Sequence, residues 1–142
     1  EKHIWNKVNC NLKSSSHPSP RWGHSSCIVG DTIVYFGGYA DSTYMNDFGA
    51  LTHLQWNGRN LKSGEVPSQR SNCSMCFDEK NNRIVIFGGG APNKKRFNSI
   101  HLLDWKTKQW SEILPKENEQ APWERTYHTA ELFYPYLVVF GG

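Results

Sequence analysis

The chain has 142 residues, a length that suits one ordinary domain. Its composition, 37% apolar and 20% charged with six tryptophans and twelve glycines, is typical of an aromatic-rich, turn-rich β protein. No apolar run approaches membrane-spanning length, and a net charge of +3 is too mild to support nucleic-acid binding. We therefore expect neither membrane insertion nor a nucleic-acid partner.

The N-terminal residues 1–10 are predicted to form one outer strand around Trp5, followed by a polar connection that ends at Pro20. The first complete four-stranded unit covers residues 21–61. Its second strand is preceded by a tight turn at Gly30-Asp31. The four strands are predicted at 23–29, 32–37, 46–54 and around Trp56, with a longer connection at 38–45.

The second complete unit, residues 70–115, repeats this order. Its first hairpin is two residues longer, through Asp78–Asn82, and its second connection, 90–97, carries three consecutive basic residues. A charged connection at 115–121 leads to a partial unit at 122–142. That unit is predicted to supply two more strands.

One phrase recurs in all three units: a run of β-branched and aromatic residues closed by two glycines. The copies are Ile33–Gly38, Ile84–Gly89 and Leu137–Gly142. Their first glycines stand 51 and then 53 residues apart, a period that indicates a repeat architecture. Each run predicts a buried strand, and each glycine pair predicts a backbone conformation or close approach that a Cβ would forbid. The paired glycines are Gly37, Gly38, Gly88, Gly89, Gly141 and Gly142.

Two further markers keep their order around this phrase. An arginine stands three residues after a proline and 16 or 18 residues before the first glycine of the pair. A tryptophan closes each unit at Trp56 and Trp110, and Trp5 has the same place in a unit whose beginning is missing. We expect these tryptophans to pack between neighbouring units. The repeated arginines are Arg21, Arg70 and Arg125.

Together these markers resemble the kelch repeat, over nearly the whole chain. The resemblance implies an all-β fold, a kelch-type β-propeller whose blades are antiparallel four-stranded sheets. About two complete blades and two partial ones are present. Because blades bury their apolar faces only against one another, we expect a fragment of a longer propeller. The remaining blades would come from the same full-length chain or from other chains.

The four cysteines predict neither a disulfide framework nor a metal site. Cys73 and Cys76 fall in one predicted strand, where residues an odd number apart point to opposite faces and lie roughly 10 Å apart. Two such thiolates cannot share one ion. We expect free, structural cysteines, which favours a reducing, cytoplasmic environment. His24 and His128 recur at one repeat position without further ligands, so we expect no metal and no cofactor.

The long connections, at 38–45, 62–67, 90–97 and 115–121, all emerge on one face of the predicted disc. Function concentrates on such loops, so we expect a protein partner there, with an acidic peptide segment suited to the basic residues. The alternative for the arginines is internal pairing that holds adjoining loops. The expected partner-binding residues are Arg21, Trp22, Tyr39, Arg70, Lys94, Lys95, Arg96, Trp123 and Arg125.

The resemblance favours a protein-interaction module that serves as a scaffold or adaptor, with no catalytic residues. The alternative is an enzyme, because some kelch-like propellers oxidise alcohols with copper or direct small-molecule breakdown with iron. The iron-dependent members carry the pattern Glu-x-x-x-Asp-x-x-x-His, which does not occur in this sequence. The histidines stand at unrelated repeat positions and do not suggest a copper site.

Overall fold

The computed structural model describes residues 5–8, 10, 17–59, 63–114 and 120–142. Within these ranges the chain forms ten β-strands and no helix. The strands are β1 (Ser25–Val29), β2 (Thr32–Ala40), β3 (Thr43–Thr52), β4 (Gln55–Arg59), β5 (Ser74–Asp78), β6 (Arg83–Phe87), β7 (Ile100–Asp104), β8 (Trp110–Ile113), β9 (Thr129–Phe133) and β10 (Tyr136–Phe140).

The strands form two four-stranded sheets, β1-β2-β3-β4 and β5-β6-β7-β8, and a two-stranded sheet of β9 and β10. Every pairing is antiparallel between strands consecutive in sequence. The first strand of each sheet lies beside the first strand of the next, β1 by β5 and β5 by β9. The predicted all-β fold with antiparallel four-stranded blades is confirmed.

The predicted long connection at 38–45 is wrong. Strand β2 continues through the glycine pair to Ala40, with a register shift between Phe36 and Gly38, and β3 begins at Thr43. Only Asp41 and Ser42 lie between them, with φ of 46° and 61°. Two consecutive positive φ values make a tight turn whose twist matches that of the flanking strands, so the hairpin closes here without glycine.

The hydrophobic core extends from one sheet to the next. Trp110 of β8 is 3% exposed and packs against Phe36 and Phe48 of the first sheet, with ring centroids 5.9 Å and 6.2 Å away. Ile84 and Ile86 of β6 belong to the same buried cluster. The expected packing between units is thus confirmed for Trp110.

The other two tryptophans differ from Trp110. Trp56 is partly exposed and makes an edge contact with Tyr35 of its own sheet, 5.8 Å between centroids. Trp5 is 98% exposed, and residues 5–8 form no strand, so the predicted packing of Trp5 between units is wrong for this structure. Trp5 stands at the position of a fourth strand, which would pair with the third strand of its own blade. The structure describes no residue before Trp5.

The glycine pair is required by the next repeat as well as by its own backbone. Gly37 has a φ of 66°, and a Cβ placed on it would lie 2.5 Å from the carbonyl oxygen of Arg70. That oxygen accepts a hydrogen bond from the Gly38 amide at 2.9 Å. In the second repeat, the carbonyl oxygen of Arg125 would lie 2.8 Å from a Cβ on Gly88. The segments around Arg70 and Arg125 therefore cross the glycine pairs of the sheets that precede them.

Candidate partner-binding face

The three repeated arginines share one internal set of hydrogen bonds. In each copy Nε donates to the carbonyl oxygen two residues earlier, and Nη1 donates to the carbonyl oxygen of the first paired glycine at 3.0 Å. Each arginine thus holds its own strand entry against the glycine turn of its own repeat. The arginine–glycine pairs are Arg21–Gly37, Arg70–Gly88 and Arg125–Gly141.

Arg21 also forms an ion pair. Its Nη1 lies 2.5 Å from the Oδ1 atom of Asp47, and its guanidinium carbon lies 5.3 Å from the centre of the Tyr35 ring. The Arg21 side chain is only 6% exposed. Its charge is therefore paired within the first sheet, which matches the internal alternative for this arginine.

Arg70 is buried by the second sheet and by the segment that leads into β7. The residue is 1% exposed, its Nη1 donates to the Oγ atom of Ser99 at 3.1 Å, and its guanidinium lies 4.0 Å from the centre of the Phe97 ring. Burial lowers the pKa of Arg70 to about 10. The sequence expectation of a surface-exposed Arg70 that meets a partner directly does not fit this burial. Its guanidinium is used inside the repeat.

Three aromatic rings are grouped at the end of the first sheet. Trp22 and Tyr39 exchange two backbone hydrogen bonds, and their rings lie 5.0 Å apart. The Tyr44 ring also packs against Tyr39, with the ring centroids 4.9 Å apart. Trp22 is 54% exposed, so the cluster offers apolar surface to solvent. The sequence gives no signal for Tyr44, because a connection is predicted at 38–45; with β2 and β3 extended, Tyr39 and Tyr44 lie opposite each other.

The basic segment Lys94–Arg96 lies across from this cluster, on the connection between β6 and β7. All three side chains are exposed. Its backbone is fixed by the bond from the Ala91 amide to the Lys95 carbonyl at 2.9 Å and by a bridge between Gly90 and Arg96. The charges are therefore presented on a structured turn.

A cleft of about 200 Å³ joins the three sheets at this end. It is lined by Tyr44 from the first sheet, Lys94–Arg96 from the second and Tyr127 from the entry to β9. Tyr127 is 72% exposed, and its amide donates to the carbonyl oxygen of Asn72. We name this surface the aromatic–basic face. It consists of Trp22, Tyr39, Tyr44, Lys94, Lys95, Arg96 and Tyr127.

A second, larger cavity of about 400 Å³ lies next to this cleft, and Lys95 and Arg96 line both. Ser99 and His101 lie deeper in it, beside Arg70, and Glu112 and Glu124 border it. Burial, and secondarily the charge of Arg70, lowers the pKa of His101. Trp123, which precedes Glu124, is 80% exposed as expected of a surface anchor.

His128 and Cys73 occupy one repeat position and make equivalent contacts with the preceding sheet. His128 Nε2 is 3.0 Å from the Ser74 hydroxyl of the preceding sheet, and the Cys73 thiol is 3.1 Å from Ser25 in the equivalent place. The four cysteines are free, and burial raises the pKa of Cys27 and Cys76 to about 12. In the described parts of the chain, no group of three or more His, Cys, Asp or Glu residues could hold a metal ion.

Consecutive four-stranded antiparallel sheets that pack through equivalent residues are the blades of a β-propeller. Residues 48–142 match the KLHDC2/KLHL20/DRC7 Kelch-repeats domain. The chain therefore belongs to the kelch-repeat family.

Two relatives extend the match towards the N-terminus. The chain is 36% identical over 126 residues to Dynein regulatory complex subunit 7 of Chlamydomonas reinhardtii, which covers 86% of this chain and 11% of that protein. It is 35% identical over 130 residues to human Kelch domain-containing protein 3, which covers 88% of this chain and 32% of that protein. The chain thus spans a third or less of the length of either relative. No helix among the described residues is long and apolar enough to cross a membrane.

Proposed function

We propose that this part of the propeller is a protein-interaction module and that the aromatic–basic face binds the partner. The observation that carries the proposal is the cleft in which Tyr44, Lys94–Arg96 and Tyr127 meet from three consecutive sheets. Exposed aromatic rings on a rigid backbone are the residues that most often anchor protein interfaces. Trp22 and Trp123 are exposed and add two further aromatic rings to the surface of the described chain.

The chemistry of the face favours an acidic segment of the partner. Three adjacent cations are exposed at Lys94–Arg96, while the arginines deeper in the repeats are already engaged in internal bonds. Aspartate and glutamate side chains would pair with the exposed cations, and the rings beside them would cover apolar residues between the acids. The roles first expected for Arg21, Arg70 and Arg125 become positioning roles in this proposal.

A relative supports an assembly role at a coarser level. Dynein regulatory complex subunit 7 is named as a subunit of a larger complex, so its kelch-containing chain belongs to a protein assembly. We propose that this chain likewise acts as a scaffold or adaptor, inside the cell as its free cysteines favour.

The test compares neutralised variants that are matched in chemistry. Lys94→Gln and Arg96→Gln alter the aromatic–basic face, and Lys106→Gln makes the same change on the turn between β7 and β8, at the opposite end of the sheet. A partner recovered with the intact protein should bind the Lys94 and Arg96 variants about tenfold or more weakly, and the Lys106 variant normally. Equal binding by all three would contradict the proposal, and so would stoichiometric copper or iron in the purified full-length protein.

A further inference from the structure

Ser99 occupies the position that an aspartate occupies in the preceding repeat. Phe36 pairs with Phe48 across β2 and β3, and Phe87 pairs with Ile100 across β6 and β7. Phe36 and Phe87 hold the same place in the repeated phrase, immediately before the glycine pair. The residues before their partners are therefore equivalent, and these are Asp47 in the first sheet and Ser99 in the second.

Arg21 and Arg70 differ in charge balance because Asp47 and Ser99 differ in charge. Arg21 is paired with the Asp47 carboxylate at 2.5 Å, whereas Arg70 meets the neutral Ser99 hydroxyl at 3.1 Å. Among the described residues, no carboxylate lies within ion-pair distance of Arg70. The buried guanidinium contacts carbonyl and hydroxyl oxygens and lies 3.5 Å from Nε2 of His101, so an anion at the Ser99 position would be favourable.

The residues before Ser99 form a basic sequence on an accessible connection. Lys94, Lys95 and Arg96 stand five, four and three positions before it. Ser99 itself is partly exposed and lies between the exposed turn and the start of β7. It also lines the 400 Å³ cavity with Arg70, Lys95 and Arg96, so a group added to its oxygen has space and positive neighbours.

We propose that Ser99 is a phosphorylation site for a protein kinase that recognises basic residues before its acceptor serine, and that the phosphate binds Arg70. The serine Oγ attacks the γ-phosphorus of ATP, the bond to the departing ADP oxygen breaks, and the hydroxyl proton passes to the catalytic aspartate of the kinase. Phosphoserine then carries a charge of about −1.5 to −2 and three acceptor oxygens.

The phosphate converts the neutral contact of the second repeat into the ion pair that the first repeat already has. Arg70 can donate to it from Nη1, and Lys95 and Arg96 lie at the mouth of the same cavity. Glu112 and Glu124 also border the cavity and oppose the added charge. The Arg70 guanidinium already contacts the Ser99 oxygen at 3.1 Å and is therefore placed to bind the phosphate directly, while the charge of Glu112 acts on Arg70 from beyond ion-pair distance.

The first experiment measures acceptance of the phosphate. The protein with its native flanking sequence is incubated with ATP and the catalytic subunit of cyclic-AMP-dependent protein kinase, and the modified residue is mapped by mass spectrometry. We expect stoichiometric phosphate at Ser99, none there in Ser99→Ala, and a rate lower by about tenfold or more in Arg96→Gln. Ser63→Ala, which removes another serine that follows a lysine, should leave the rate at Ser99 unchanged. Modification of the unfolded chain alone would overturn the proposal.

The second experiment tests the contact with Arg70. A ³¹P titration of the phosphorylated, unmutated protein should give a second pKa of the phosphoserine below its ordinary value of about 6, because the guanidinium favours the dianion. Lys106→Gln should leave that pKa unchanged, whereas Arg70→Lys should raise it. If Arg70→Lys does not fold, the titration of the unmutated protein still decides. An ordinary pKa there means that the cavity is not a phosphate site, and an acidic side chain of a partner would then be its better occupant.

Discussion

Arg70 is a charged residue that lies in the interior of the protein. Its guanidinium donates to Gly88 and Ser99 and covers the Phe97 ring, and Arg70 is 1% exposed. Arg70→Ala would leave these acceptors unsatisfied around a cavity. We expect a loss of about 3 kcal/mol or more in the free energy of unfolding, measured by urea denaturation.

The matched control for this change is Arg96→Ala. Arg96 is exposed and lies on the same connection as Phe97, so its removal should change stability by about 0.5 kcal/mol or less. Equal free energies of unfolding for Arg70→Ala and Arg96→Ala would mean that the internal contacts of Arg70 do not stabilise the fold.

Asp47 of the first sheet and Ser99 of the second occupy equivalent positions. The difference between them predicts how a substitution at Ser99 changes stability. Ser99→Asp supplies a carboxylate beside a guanidinium that is already desolvated, so the melting temperature should rise. Ser99→Asn has nearly the same shape without the charge and should not raise it. A lower melting temperature for the aspartate variant than for the asparagine variant would show that Glu112 and Glu124 dominate the electrostatics of the cavity.

His128 makes the contact between the second and third sheets sensitive to pH. Its Nδ1 is buried without a partner among the described residues, and burial, followed by the charge of Arg125, lowers its pKa below 6.5. The unfolded chain therefore binds the proton more readily, and stability should fall as the pH drops below 6.5.

The slope of this loss can be measured by thermal unfolding at several pH values. The pKa of His101 is lowered in the same direction, so His128→Gln should reduce the slope without removing it. A slope identical to that of the unmutated protein would mean that His128 does not titrate differently in the folded and unfolded states.

At the scale of the element, the glycine pair can be tested against a glycine without close neighbours. Gly88 and Gly30 both have positive φ, 66° and 57°. A Cβ on Gly88 would lie 2.8 Å from the Arg125 carbonyl, whereas one on Gly30 would meet nothing within 4 Å. Gly30→Ala should therefore cost only the strain of the turn, about 1–2 kcal/mol.

Gly88→Ala should cost clearly more than Gly30→Ala, since it also pushes the next repeat away. Thermal unfolding of the two variants side by side gives the comparison. Equal losses would mean that the crossing of the arginine segment contributes nothing.

The strands could be predicted from the sequence because each carries a repeated signal. The runs that end in paired glycines predicted β2, β6 and β10, and the Gly30-Asp31 turn is where the structure has it. The turn at Asp41-Ser42 was missed because neither residue is glycine, and only pairing with β3 makes two positive φ values favourable.

The candidate site was less predictable for a physical reason. An arginine side chain suits a contact with a partner and a contact within its own repeat equally well. Only the hydrogen bond from Arg70 to the Gly88 carbonyl distinguishes the two roles. Trp22, Trp123 and Lys94–Arg96 are exposed, and the binding role expected for them stays a prediction. Tyr44 and Tyr127 joined them only when three sheets were brought together.

At the scale of the whole molecule, the third sheet exposes an apolar face whose equivalents in the first two sheets are buried. Phe140 is 81% exposed and Val138 is 53% exposed, while Phe36 and Val34 at the equivalent positions of the first sheet are both 0% exposed. Phe87, equivalent to Phe140 in the second sheet, is 1% exposed. A neighbouring blade makes this difference, and we propose that further blades, from the same full-length protein or from other chains, cover the third sheet.

The 142-residue chain on its own should therefore self-associate, since β10 offers both an unpaired edge and exposed rings. Sedimentation velocity should show species larger than a monomer at micromolar concentration. Phe140→Asp should shift the distribution towards the monomer because a charge on that face opposes its burial, whereas Asp31→Asn on the first hairpin should not. A monomeric, cooperatively unfolding chain would mean that the exposed face needs no cover, and the expectation of further blades would then lose its physical basis.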